Sequence, residues 1–434
     1  MLARLFSALL FAAPPAESTE PAESPDPPAT SEDVTEIVVS TAEADRLRQS
    51  AEAVTVIDTD TAKRESADLG EVLSRSQGVG VRRGGGLGSS TWLSLNGLSG
   101  DQVRVFLDGV PLSLAGFPGS IGLANVPVNL VDRIDIYRGV VPIRFGADAL
   151  GGAINLASPT PRDGLHGSVS YQGGSFETHR LAALLQARLS PSGLFARASG
   201  FFDTAANDYP ITVEVTDDQG QLHEAKIYRF HDGYRAYGGK LDLGVVDVRW
   251  ADHLLVHGFA THARKDIQHN IVMTVPYGEV ETAELTAGGS VDYRRVFDNR
   301  VELDLVGGYT WAQTEFQDLG ECVYDWFGQC IFDRPQPGEI GVGPIDQVVA
   351  EHTGFGRFNL HWQPAAAHGL SASIAPTYVT RGGDDRTVDD PEFRDPLSFR
   401  RELLTIVTGL AYTLDVLEER LENVAFGKSY VQLA

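Results

Sequence analysis

The chain has 434 residues, of which 42% are hydrophobic and 22% charged, and its formal net charge is −24. This length predicts two or three folded units, and the acidity excludes a nucleic-acid partner, whose phosphates need a basic face. Helical membrane spans need apolar runs of about 18 residues, which are absent, whereas a membrane β-barrel hides its apolar residues in alternation and has the hydropathy of a soluble protein. With 46 glycines, 20 phenylalanines, 13 tyrosines and two methionines, the composition suits a β-rich fold.

In chain order, Arg4 followed by the apolar stretch Leu5 to Ala13 and then Pro14 and Pro15 predicts an export signal over residues 1–16. Residues 17–33 are almost wholly Pro, Ala, Glu, Ser, Thr and Asp, a composition that stays disordered in isolation. Within residues 34–42 stands a short β-prone island, Thr35 to Ser40. Such a strand on a disordered leash can add to a partner's sheet edge through backbone hydrogen bonds.

Residues 51–160 predict a small α/β unit. Val54 to Ile57 alternates as a strand, Asp58 or Asp60 can cap a short helix, and Ala67 to Arg75 forms a second helix with Leu69, Val72 and Leu73 inward. Gly78 is expected at a left-handed cap. Strands follow at Trp92 to Asn96, Val103 to Leu107 and Arg133 to Tyr137, the second running into the tight turn Asp108-Gly109. The glycines at 84, 85, 86 and 88 lack the lysine and helix of a phosphate cradle, so nucleotide binding is not expected.

From residue 165 to 434 the pattern is of long two-periodic strands, about eleven of them, joined alternately by tight turns and long loops. Val301, Leu303, Leu305, Tyr309 and Trp311 share one face, and Glu302, Asp304, Thr310 and Thr314 the other. Phe358, Leu360 and Trp362 oppose Arg357, Asn359 and His361, and Leu241 and Leu243 oppose Lys240 and Asp242. Strands of some 12 to 16 residues span ~40–55 Å, beyond the width of a soluble core and suited to a tilted membrane wall.

Cys322 and Cys330 lie in a loop rich in Gly and acidic residues and predict a disulfide in an exported protein, two free thiols being the alternative. No metal site is expected: His253 and His257 share a face but stand ~13 Å apart along a strand, too far for one ion. His262 raises the same metal question, and His269 is expected as a surface residue with a ligand contact open.

Four ordered segments then carry a resemblance: Asp68 to Arg83, Leu93 to Leu112, Val131 to Gly139 and Arg144 to Leu156. They resemble the plug motifs of the TonB-dependent receptors of Gram-negative outer membranes, and Val34 to Ala42 resembles the family's TonB box. The resemblance implies an α/β plug followed by an antiparallel transmembrane β-barrel, here apparently cut at about half the 22 strands of the family. It implies a monomer in the cell outer membrane, in contact with outer-membrane lipid, that actively imports a scarce bulky solute such as a ferric siderophore, haem or cobalamin. Glu36, Ile37, Val38, Val39 and Ser40 would contact the TonB energy-transducing complex of the inner membrane. Asn96, Gly97, Asp108, Gly109, Arg138, Gly139, Gly146, Gly151 and Gly152 match the plug motifs, with Arg138 the expected anchor of plug to barrel. Arg83, in the loop Arg83 to Ser90, and Phe117, in Ser113 to Gly122, would face the extracellular ligand, possible iron chelates included. No catalytic residue, metal or cofactor is implied.

Departures from the family pattern are Asn96 where arginine is usual, Gln77 for the proline of the turn, and an end in SYVQLA without a terminal aromatic residue. Alternatives are a signal-transducing receptor, against which the short stretch before residue 34 argues, and a non-transporting fragment. A barrel enzyme lacks a nucleophile or metal constellation here.

Overall fold

The computed structural model describes residues 47, 53–65, 68–117, 123, 126–139, 141–146, 151–190, 192–216, 219–298, 300–388, 395–416 and 421–434. The expected export signal, linker and Val34 to Ala42 segment lie outside these residues. All the described residues belong to one unit, Glu43–Ala434.

The first part is an α/β domain. Strand β1 (Val54–Asp58) leads to helix α1 (Asp60–Glu65), whose first backbone N–H is taken by the Asp58 carboxylate at 2.8 Å. Helix α2 (Leu69–Ser74) is N-capped by Asp68, which accepts from the Glu71 N–H, and buries Leu69, Val72 and Leu73. Its C-cap is Arg75 in a right-handed conformation, so the expected left-handed cap at Gly78 is displaced. Gly78, with φ of +75°, instead turns the chain into β2 (Val79–Arg83). Next come β3 (Thr91–Leu95), β4 (Leu98–Ser99), β5 (Val103–Leu107), β6 (Val110–Pro111), β7 (Arg133–Arg138) and β8 (Gly152–Ala157). A five-stranded sheet has the order β1-β7-β8-β5-β6, with β5 and β8 parallel, and β2, β3 and β4 form a second sheet. Leu69, Leu73, Val131, Ile134, Ile136, Ile154 and Leu156 are fully buried and make the core between helices and sheet.

The second part is one eleven-stranded antiparallel sheet. Its strands in chain order are β9 (Gly164–Gly174), β10 (Thr178–Leu189), β11 (Leu194–Ala205), β14 (Tyr234–Val248), β15 (Ala251–Asp266), β16 (Glu281–Phe297), β17 (Val301–Asp318), β20 (Ile345–Ala365), β21 (His368–Asp385), β22 (Arg401–Val416) and β23 (Leu421–Leu433). Each pairs only with its neighbours in that order, the up-and-down habit of a barrel wall. Short connections at 190–193, 249–250, 298–300 and 366–367 fall at one end, and long ones at 206–233, 267–280, 319–344 and 386–400 at the other. Two long loops carry their own hairpins, β12 (Pro210–Thr216) with β13 (Leu222–Tyr228) and β18 (Cys322–Tyr324) with β19 (Cys330–Asp333).

This wall is inverted relative to a soluble sheet. Leu241 and Leu243 are each 47% exposed, while Asp242 between them is 1% exposed. Val169, Leu185, Val256, Phe358, Trp362, Ile374 and Leu410 are likewise exposed on the outer face. On the inner face sit ion pairs: Arg180 with Asp203 at 3.1 Å, Arg197 with Asp242 at 2.7 Å, His253 with Asp292 at 3.1 Å and Arg357 with Asp304 at 3.1 Å. An apolar exterior around a charged interior is the arrangement that a lipid solvent favours.

Candidate functional site: the plug, the wall and the loop end

The α/β domain meets the inner face of the wall chiefly through its main chain. Arg357 donates to the Gly109 carbonyl while its guanidinium also holds Asp304. Two residues on, Asn359 donates to the Arg144 carbonyl at 2.8 Å. Across the sheet, Arg197 donates to the Pro159 carbonyl at 2.8 Å, Gln186 to the Thr160 carbonyl at 3.1 Å and Thr310 to the Leu114 carbonyl at 3.3 Å. Near the loop end, buried Asn207 accepts from the Leu87 N–H at 3.1 Å and donates to the Leu87 carbonyl at 2.8 Å. In every case the wall provides the side chain and the domain the backbone.

The motif residues sort into turns. Asp108 and Gly109 have φ of +50° and +77°, the tight hairpin expected between β5 and β6. The Asp108 carboxylate accepts from the Ser158 N–H and hydroxyl, and Asn155 accepts from the Gly109 N–H at 2.9 Å. A Cβ on Gly109 would lie 2.7 Å from the Arg357 guanidinium, so glycine here serves both backbone and contact. Asn96 and Gly97, at φ of +51° and +84°, make a second such turn between β3 and β4. Asn96 thus lies beyond the strand expected to include it, and its departure from arginine suits a left-handed position that asparagine tolerates better. The Gly139 N–H donates to the Gly151 carbonyl at 3.3 Å, Gly151 donates to the Gln102 carbonyl, and Gly152 pairs with Val103 and Arg138 at the start of β8. Gly146 packs against Ala375 of the wall.

Three of the expected residues have partners that define their local role. Arg138 donates to the Thr55 hydroxyl and to the Gln77 carbonyl at 2.8 Å, both within its own domain, so it braces the domain rather than tying it to the wall. Phe117 is half-buried with its ring stacked on Phe201 of the wall at 6.0 Å, which makes it a packing contact between the two parts. Arg83 is tied to Asp68, the cap of α2, at the base of the loop whose tip Asn207 holds. Of the residues that grip the domain, Arg357, Asn359, Arg197, Gln186 and Thr310 had only the period-2 pattern to mark them, and Asn207, in a long loop, had none. That pattern gives a face and not a partner.

At the loop end, Cys322 and Cys330 form a disulfide, and with Asp333 they make one cluster of metal-type ligands among the described residues. A paired disulfide offers no thiolate to an ion. Two buried carboxylates join the long loops. Asp318 accepts from the Glu339 and Ile340 N–H groups at 2.6 and 2.7 Å, and Glu339 accepts from Gly278 and Glu279 at 3.0 and 2.9 Å. Burial pushes the Glu339 carboxyl above its usual range against those N–H groups, and the Asp318 and Glu279 charges push the same way. Of the histidines, His257 is paired with Asp242, His253 with Asp292, His262 stacks on Tyr237, and His269 meets the Asn270 carbonyl.

Residues 46–153 match the family model of the TonB-dependent receptor plug domain. The fold is similar to that of the copper transporter OprC, with a TM-score of 0.60 at 14% identity over 88% of this chain and 54% of that one. It is also similar to the ferric enterobactin receptor PfeA of Pseudomonas aeruginosa, with a TM-score of 0.61 at 18% identity over 89% and 58%. The siderophore receptor PirA of the same organism gives 0.56 at 16% over 88% and 56%. The chain therefore spans between half and two thirds of the length of these solved proteins. The family consists of transporters and receptors, not enzymes. Residues 46–153 are thus a plug domain of the TonB-dependent receptor kind, followed by eleven antiparallel strands that grip it from their charged face.

Proposed function

We propose that the chain forms the plug and part of the barrel of an outer-membrane importer that takes up a scarce, bulky solute, with energy delivered by TonB. The inverted wall carries this reading: apolar residues such as Leu241, Leu243 and Leu410 face outward, and the inward ion pairs and amides hold a separate plug by its main chain. Polar contacts of this kind exchange readily with water, so a plug held by them can leave the wall and return. Ligand would bind over the loop end, where the plug loop 84–90 meets Asn207, and the segment Glu36 to Ser40 would pair with TonB in the periplasm. The similarity to the siderophore receptors PfeA and PirA makes ferric siderophores the first solutes to test, and that to the copper transporter OprC makes copper the second.

The experiment deletes residues 34–40 from the receptor in its own cell and follows energy-dependent accumulation of radiolabelled iron chelates and of copper. Binding retained with accumulation lost is the expected result. Accumulation that survives the deletion refutes coupling through this segment.

A further inference from the structure

The glycines at 84, 85, 86 and 88 lack the pattern of a phosphate cradle, and the fold gives them another use: they let the plug loop pass close to the first long loop, 206–233. A Cβ on Gly86 would collide with the Asn207 amide oxygen, and one on Gly88 with the Tyr234 ring. Between them, Leu87 presents both of its main-chain groups to the Asn207 side chain. Its N–H donates to Oδ1 at 3.1 Å, and its carbonyl accepts from Nδ2 at 2.8 Å. Asn207 is 2% exposed, so both bonds are shielded from water.

Asn207 is placed from the wall side. Its backbone N–H donates to the Phe176 carbonyl at 3.3 Å, and its Nδ2 also donates to the Asp232 carbonyl at 2.9 Å. Asp232, buried in turn, is clamped between two cations. Lys265 of β15 donates to both its carbonyl and its carboxylate, and Arg229 lies 3.0 Å from the second carboxylate oxygen. Arg229 sits over the Tyr209 ring and donates to the Tyr209 hydroxyl at 3.0 Å, while Tyr209 packs edge-on against Phe176. A buried network of this kind has few other arrangements that satisfy its charges. Moving the corner formed by residues 229–232 therefore moves the carbonyl that steers Asn207.

We propose that Asn207 is a positioning residue that latches the glycine loop of the plug, and that the Asp232–Lys265–Arg229 corner sets the latch. A shift of the first long loop then unfastens Leu87 without any new contact to the plug. The proposal rests on the importer reading for its consequence, which is that a solute displacing residues 229–232 loosens the plug from outside. The latch itself can be read without knowing the solute.

The test is hydrogen exchange, read by mass spectrometry at the amides of residues 85–90, on the full chain extracted from the outer membrane in detergent. Asn207→Gly removes the amide and suits the left-handed φ of +55° at this position. Gly86→Ala evicts the same amide from the plug side. Each should speed exchange about tenfold, a difference of ~1.4 kcal/mol, and the double variant should be no faster than either, because both remove one contact. Lys265→Met, which removes an amine bonded to Asp232, should speed the same amides about threefold. Asp232→Asn, equal in size, replaces it if that variant fails to fold. Exchange from Val103 to Val110 should keep the wild-type rate throughout, which separates unlatching from a general loosening of the plug, and Leu410→Ala on the outer face is the control. Unchanged exchange in Asn207→Gly, a double variant about a hundredfold faster than wild type, or corner variants indistinguishable from the control overturns the latch. A chain recovered in the soluble fraction overturns the outer-membrane reading instead, and the latch is then read on the soluble protein.

Discussion

Replacing Gly109 by alanine tests the grip of wall on plug at its best-defined point. Two costs add. The left-handed φ of +77° costs an L-residue ~1–2 kcal/mol. The new methyl, 2.7 Å from the Arg357 guanidinium, must also displace that group from the Gly109 carbonyl. A hydrogen bond from a charged donor contributes ~1.5–3 kcal/mol, and because Arg357 keeps Asp304 at 3.1 Å the lower end applies. The expected total is about 3 kcal/mol, or roughly 150-fold in the local opening equilibrium. Hydrogen exchange of the amides from Val103 to Val110 in detergent-solubilised protein reads it directly. Arg357→Gln removes the donor without straining the turn and should cost about half as much. Combined with Gly109→Ala it should be less than additive by about 1 kcal/mol, because the methyl then has no guanidinium to displace. Unchanged exchange in Gly109→Ala, or strict additivity in the pair, refutes the argument.

Restoring the family's arginine with Asn96→Arg should lower the thermal midpoint, since a long side chain at φ of +51° beside Gly78 costs ~1 kcal/mol; an unchanged or higher midpoint contradicts this. Asp242→Leu strips the carboxylate from Arg197, Lys240 and His257 and should destabilise the wall by ~3–5 kcal/mol, with Arg197→Met recovering part of it in denaturant titrations. For Glu339 the folded pKa is raised, so the contribution of this carboxyl to stability is fully present below its unfolded value and is lost as pH rises through the folded one. Amides of residues 278, 279 and 339 should therefore open more readily near neutral pH than near pH 4, after correction for intrinsic exchange, and Glu339→Gln should abolish the difference.

Much of the wall could be read from residues alone, because alternation in a strand is a purely local code. Leu241 and Leu243 against Asp242, or Phe358 and Trp362 against Arg357 and Asn359, need no tertiary information to be assigned to opposite faces. Length then separates membrane wall from soluble sandwich, and the strands reach 21 residues in β20. The plug was legible through its turns, although Asn96-Gly97 carries the same turn signal as Asp108-Gly109 while its asparagine also continues the strand pattern of Trp92 to Leu95. The grip between the two parts was not legible. Arg138 has the charge of an anchor, yet Thr55 and the Gln77 carbonyl lie within its reach and satisfy it locally. Phe117 sits in a glycine-flanked loop that suggests an open apex, and only the fold brings Phe201 beneath it. Hairpins inside the long loops, and the Asp318–Glu339 clasp between them, likewise depend on contacts that no spacing encodes.

The chemistry of the grip bears on how the plug could be released. Each hydrogen bond from wall to plug named above ends on a main-chain group of the plug: the carbonyls of Gly109, Arg144, Pro159, Thr160, Leu114 and Leu87, and the Leu87 N–H. Main-chain acceptors are present whatever the side chain, so the plug surface can change in sequence without losing its hold. They are also acceptors that water replaces well. At a net ~0.5–1.5 kcal/mol each, the seven bonds together come to about 4–10 kcal/mol. Spontaneous release at the upper end of that range would be rare, and a solute bound over the loop end could weaken only the Leu87 contacts that lie near it. The Arg357 and Asn359 contacts lie further from the long loops than the Leu87 contacts do. On the importer reading proposed above, work applied from the periplasm would be the input that these contacts call for.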